Sequence, residues 1–455
     1  MRKWWKRIGV LVGGLVGLGG LLSPASAQFG PMPGQGMRPA MFASDPQPQA
    51  GPDFPNPAPK SPEAESPFSL PQDGSPNAFS GEQTPAHDPG YIFTLRGEYL
   101  HWWVTSGKLF SPLITTSTTP NLTNNFGALG QSSTLILLPP GDYDYKGING
   151  GRAALGIAPG VIPPMEISGL WFNRNLTLAD FSSNGSVLLA RPVQLVTQPN
   201  IVGAGAESVY LQAFPGIGGG GDLVTSRINL WGFDIDMLVP LCDNGTISID
   251  FMFGYKHAEL RETIDINSTF ASNVGQFFNG QVAPAGFSTV VVDEFATRNR
   301  FDGGTIATRW RLTYSRLTVL SDLKLSLGNT VEEVHISGSS LLAGQGGGIR
   351  SPGGILAIPS NAGVTSRNDF TVIPEVNLTL SCQLTKNVRV YGGYNLLYWS
   401  SVGRAGRQIS TAIDPRQVPT DQAFIPGFVG TAPQFHFNRS DFFANGFGFG
   451  LEIGY

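Results

Sequence analysis

Charged residues make up only 14% of the 455 positions, and many of them alternate along the chain with oily ones. Arg96, Glu98, Arg152, Glu166, Asp234, Asp236, Asp250, Lys256, Arg309, Arg311, Asp322, Lys324, Glu375, Arg389 and Glu452 all lie in such stretches. Seven are cationic and eight anionic, a near balance. Mixed charges brought onto one face can pair into a packed, hydrated network or line a narrow polar passage. With no excess of either sign, selectivity for anions or for cations is not expected.

The elements that would position these charges are strands. In a strand successive side chains take opposite faces. Over Phe443–Tyr455 one face reads Phe443, Asn445, Phe447, Phe449, Leu451, Ile453, Tyr455; the other is Gly and Ala with Glu452. Similar alternation starts at Tyr91 and recurs over 151–158, 165–172, 229–238, 247–256, 304–312, 317–327, 370–384 and 388–399, ten segments in all. Their oily face is the outer face of a barrel in lipid, with the charges inside. The links alternate strictly between long (105–150, 173–228, 257–303, 328–369, 400–442) and short (159–164, 239–246, 313–316, 385–387), with Asn244–Gly245 as a tight hairpin signal. Short turns on the periplasmic side and long loops outside are the habit of such barrels. The expected fold is all-β: a transmembrane antiparallel up-and-down barrel of about ten strands, with eight to fourteen allowed. Trp102, Trp103, Trp171, Trp310, Tyr398 and Trp399 are expected at headgroup level.

Residues 1–27 read as a signal peptide: basic Arg2, Lys3, Lys6 and Arg7, an apolar run to Leu22, then Ala25-Ser26-Ala27. Its removal takes four positive charges from a net of -4 and leaves -8, which argues against a nucleic-acid partner. Residues 28–90, rich in Pro, Gly, Ser and Gln, are expected to be a disordered periplasmic tether, and 91–455 the barrel. Cys242 and Cys382 fall in and near periplasmic turns, and no bond between them is inferred.

Catalysis has little to stand on. The histidines show no metal-ligand spacing, and no Ser nucleophile motif is present. His257 and His335, with Glu259, Glu332 and Glu333 close in sequence, lie near strand ends at the presumed outer mouth, where ten-stranded outer-membrane proteases carry acidic residues and a His. No catalytic residue, metal or cofactor is assigned.

In its ordered pieces the chain resembles the putative beta-barrel porin-7 family of planctomycete bacteria. Those pieces are Glu98–Trp103, Pro112–Thr116, Gly151–Gly156, Leu189–Pro192, Asp293–Asn299, Leu327–Asn329, Pro374-Glu375, Gly393–Trp399 and the closing strand. Where the family tends to show Arg-Pro-Gly-Asp, this chain has Arg404-Ala405-Gly406-Arg407. The resemblance implies an outer-membrane location and a porin. The expected function is porin-like passage of small solutes through a narrow polar lumen; the alternative is a structural or adhesive surface barrel that displays long loops. Expected partners are outer-membrane lipids and the barrel-assembly machinery, reached through the last strand, with a homo-oligomer open and no nucleic acid.

Overall fold

The computed structural model describes residues 92–119, 126–160, 162–196, 206–344 and 347–455. The expected leader and tether lie outside the described residues. Ten strands close into one antiparallel ring: β1 (Phe93–Val104), β2 (Ile148–Ile157), β3 (Met165–Ser183), β4 (Gly218–Asp243), β5 (Ile247–Ser272), β6 (Ser288–Tyr314), β7 (Leu317–Gly344), β8 (Gly363–Gln383), β9 (Val388–Gly403) and β10 (Arg439–Gly454). Each pairs with its neighbours in sequence, and β1 meets β10 from Thr94 opposite Gly454 to Val104 opposite Ala444. Closure pairs the edge strands, the condition for strands to cross a bilayer. The up-and-down barrel expected from the alternation is the fold.

The outer face is oily. Phe447, Phe449, Leu451 and Ile453 on β10, Leu378 and Leu380 on β8, and Leu323 and Leu327 on β7 are all exposed. A soluble barrel would turn such side chains inward; here the apolar band is the lipid-facing surface. At one end the connections are short: 158–164, 244–246, 315–316 and 384–387. In the second of these Gly245 takes φ +83°, and the Asn244 side chain accepts from the Thr246 and Ile247 amides.

The other end departs from expectation. β4 and β5 have 26 residues each, β6 has 27 and β7 has 28, whereas a tilted crossing takes roughly 9–11. These four strands therefore project far beyond the bilayer, and the expected loops 257–303 and 328–369 shrink to 273–287 and 345–362. The reason is chemical: past the bilayer the outer face no longer has to be oily, so Thr263, Asp265, Arg298 and Glu333 replace it, and the strand continues without its lipid signal. By contrast β1 has 12 residues and β2 has 10, so the wall is low on that side.

The described parts of connections 105–147, 184–217 and 404–438 fold against the inner face of the tall wall. Pieces of them form a small sheet from 114–117, 134–138, 189–195, 207–213 and 412–413. Leu113, Ile114, Leu189, Val193, Ile409 and Ile413 pack there with Ile264, Ile266, Phe295, Val334 and Ile336 of the wall, all buried. Burial of each such side chain favours this arrangement by about 1.5–3 kcal/mol. The inner surface of the projecting strands is thus the core of a loop-filled outer half.

Candidate functional site: the barrel lumen

Alternate positions on ten strands aim at the lumen, and their chemistry changes with height. Nearest the short turns lies an ionic layer. Arg309 reaches Glu166 at 3.0 and 3.1 Å and Asp322 at 2.8 and 3.0 Å. Arg96 joins Glu166 at 3.3 Å and Glu452 at 2.5 Å, and Arg389 meets the other oxygen of Glu452 at 3.0 Å. Lys256 sits between Asp234 (2.9 Å) and Glu375 (2.7 Å), and Lys324 donates to Asp236 at 2.6 Å. Arg152 bridges Glu98 at 3.1 Å and the Asn395 side chain at 2.9 Å. Asp250 is buried opposite Arg309 in the ladder. Arg311, with Asp322, Tyr391 and Arg389 among others, lines a cavity of about 100 Å³ left within this layer. The fifteen charges singled out by alternation thus share one interior.

Above them the lumen turns apolar. Leu100, Trp102, Phe172, Leu230, Leu260, Phe301, Leu397, Trp399 and Phe442, from seven of the ten strands, pack into one buried cluster across the bore. Trp102 packs on Phe172 with ring centres 4.6 Å apart and planes tilted by 34°, and the Trp399 indole donates to the Thr330 hydroxyl at 3.0 Å. This corrects the expectation for two tryptophans: Trp102 is 1% exposed and Trp399 is 0% exposed, so neither sits at the headgroups. Parity decides it, because Trp102 shares a face with Glu98 and Leu100. Trp103, Trp171 and Trp310 do lie exposed on the outer face. Sequence reasoning missed this septum because it read the aromatics at the strand ends as headgroup-level residues.

A third layer locks the loops to the tall wall. Glu262 on β5 accepts from Arg404 at 2.9 and 3.0 Å, from the Ala405 amide at 2.9 Å and from the Tyr145 hydroxyl at 2.7 Å. Burial opposes its charge, and Arg404 more than offsets that, holding the carboxyl below its ordinary range. Asp293 on β6 accepts from Arg191 at 2.6 Å and from the Leu356 and Ala357 amides at 2.9 and 2.7 Å. Two carboxylates therefore tie down four connections. Arg191 and Asp293 lie in pieces quoted for the family resemblance, and Arg404 opens the piece that departs from it. The one sequence signal was charges in segments without alternation.

His257 and His335 do not converge on a site. His257 lies on the outer face, its Nδ1 2.7 Å from Asp302, while Glu332 points inward to Arg367 and Ser401. Among the described residues no group of His, Cys, Asp and Glu could hold a metal ion. Cys242 and Cys382 are both free.

The family model for putative beta barrel porin-7 (BBP7) matches residues 95–455. The chain belongs to this family. The match takes in every barrel strand, from the second turn of β1's alternation to the end of β10. Membership and the oily outer face together make it an outer-membrane β-barrel. No curated protein matches in sequence. Among solved structures it is similar to the outer membrane protease OmpT of Escherichia coli, with 9% identity, a TM-score of 0.36, and coverage of 81% of this chain and 98% of that one. A FadL homologue of Pseudomonas aeruginosa is similar at 7% identity and a TM-score of 0.22, covering 82% of this chain and 92% of that one. The toluene transporter TodX of Pseudomonas putida gives 8%, 0.18, and coverage of 82% and 92%.

Proposed function

We propose that this BBP7 barrel is a closed outer-membrane scaffold, which anchors and rigidly displays an outer half built from projecting strands and inserted loops. The observation that carries this reading is the apolar septum, where Leu100, Phe301, Trp399 and Phe442 are 0% exposed. A layer without room for water gives ions no hydrated path. Barrels of about this strand number are in general filled by their own side chains. The lower charges support the same reading, since they are consumed in pairs with one another. In this reading the chain is exported behind a cleaved leader, inserted through its β10 strand by the assembly machinery, and has no catalytic role.

Porin-like passage through the polar lumen is the second reading, favoured by the cavity of about 100 Å³ that Arg96, Glu166, Asp234 and Arg311 line below the septum. It requires septum and loops to move aside. Conductance of the refolded full chain in planar bilayers separates the two: the scaffold reading expects silence. Reproducible openings of uniform size in the wild-type chain would overturn it.

A further inference from the structure

The outer face of β4, β5 and β6 changes character abruptly. Trp231, Phe233 and Tyr255 close the oily band; Arg300 stands in the row of Trp231 across Glu259, Arg261 and Arg298 stand in the next row up, and His257 with Asp302 share the row of Phe233. Register places Arg298 directly opposite Arg261, and Arg300 opposite Glu259. Glu259, though it shares this outer face, is 1% exposed. Its Oε2 accepts from Arg298 Nε at 2.9 Å and Nη2 at 2.7 Å, and its Oε1 accepts from Arg261 and, at 3.2 Å, from the Trp231 indole. The buried carboxylate thus fixes two guanidiniums and the last aromatic of the band in one plane of the wall. Arg261 and Arg298 keep side chains 53% and 38% exposed. Arg300 has no carboxylate within salt-bridge distance among the described residues; Asp302 acts on it only at longer range. Glu333 faces Arg298 across the β6–β7 ladder, so the cluster is donor-rich rather than strongly charged.

We propose that Arg261, Arg298 and Arg300 form a site for the phosphate of a lipid headgroup in the outer leaflet, with Trp231 and Tyr255 against the chain below it. Continuity with the lipid-facing band selects this occupant: a molecule lying on Trp231 carries its polar end to the height of the arginines. Guanidinium forks match phosphate oxygens in geometry and charge, and an aromatic beneath them suits the boundary between chain and headgroup. Glu259 is a positioning residue, since it holds the forks and does not face the ligand. The inference rests on the barrel spanning a membrane and is independent of whether its lumen conducts.

The test uses the refolded full chain in neutral detergent, followed by native mass spectrometry with phosphatidylglycerol, phosphatidylcholine or inorganic phosphate added. The wild type should retain phosphatidylglycerol in preference to phosphatidylcholine, and Arg300→Ala should weaken retention roughly tenfold, the effect of losing about one charge-assisted contact. Because removing Arg298 leaves Glu259 unbalanced, the paired change Arg298→Ala with Glu259→Gln serves as the second variant and should weaken retention at least as much. Equal retention of both lipids, unchanged retention in both variants, or capture of inorganic phosphate with no lipid preference would each overturn the assignment.

Discussion

Asp222 and Asp293 share one cation. Arg191 gives its Nη1 to Asp293 at 2.6 Å, while Asp222 is held by the Ser268 hydroxyl at 2.6 Å and has its second oxygen buried without a partner. Burial, only partly offset by Arg191, pushes the Asp222 carboxyl up to about 6. An acid with a raised folded value adds stability below its unfolded value near 3.8, and that contribution is lost as pH rises through about 6. Asp222→Asn should therefore stabilise the outer half by about 1–2 kcal/mol at slightly alkaline pH and flatten the dependence of its melting on pH between about 4 and 7. A melting series at several pH values in detergent checks both. Glu262 has the opposite sign: its stabilisation is present above its ordinary 4.5 and fades as pH falls through its depressed value. Glu262→Gln should cost about 3–5 kcal/mol, because Arg404 would remain buried against a neutral partner. Proteolysis should then reach 105–147 and 404–438 sooner than in the wild type.

Among the elements, β10 shows how one strand serves two faces. Its outward Phe447, Phe449 and Leu451 meet lipid, while inward Gly446 and Gly448 make room for neighbours on β1. A Cβ on Gly446 would come within 2.1 Å of the His101 carbonyl oxygen and 2.5 Å of the Trp102 Cα. These are backbone atoms, so the closing seam itself would have to shift. Gly446→Ala should destabilise the folded barrel by about 1–3 kcal/mol, seen as a lower temperature for loss of the compact band on a heat-modifiability gel. On the lipid face, Leu378→Arg on β8 should cost about 2–4 kcal/mol if that position lies near the bilayer midplane. Refolding yield in liposomes measures it, and a neutral result would argue against the band as placed.

For the molecule as a whole, the proposed closed bore has two obstacles in series: the septum and the loop-filled outer half. Removing one leaves the other. Phe301→Ala with Trp399→Ala should stay silent in planar bilayers, and so should shortening 404–438 alone. Combining them should produce conductance, because the T-shaped Phe301–Trp399 pair and the Arg404 lock would both be gone. Openings from the double alanine variant by itself would show that the loops do not seal.

By itself the sequence determined the barrel, its ten strands, which end carries the short turns, and the shared interior of the fifteen charges. All of these follow from a period of two against a lipid exterior, which is local information. Tertiary structure decided the rest. Trp102 and Trp399 turned inward: parity puts them on the charged face, but only the folded bore shows that face to be apolar and packed at their height. The projecting strands were invisible because, beyond the bilayer, nothing forces their outer face to be oily. The locks made by Glu262 with Arg404, 142 positions apart, and by Asp293 with Arg191, 102 positions apart, exist only once loops fold inward. No spacing along the chain encodes that meeting.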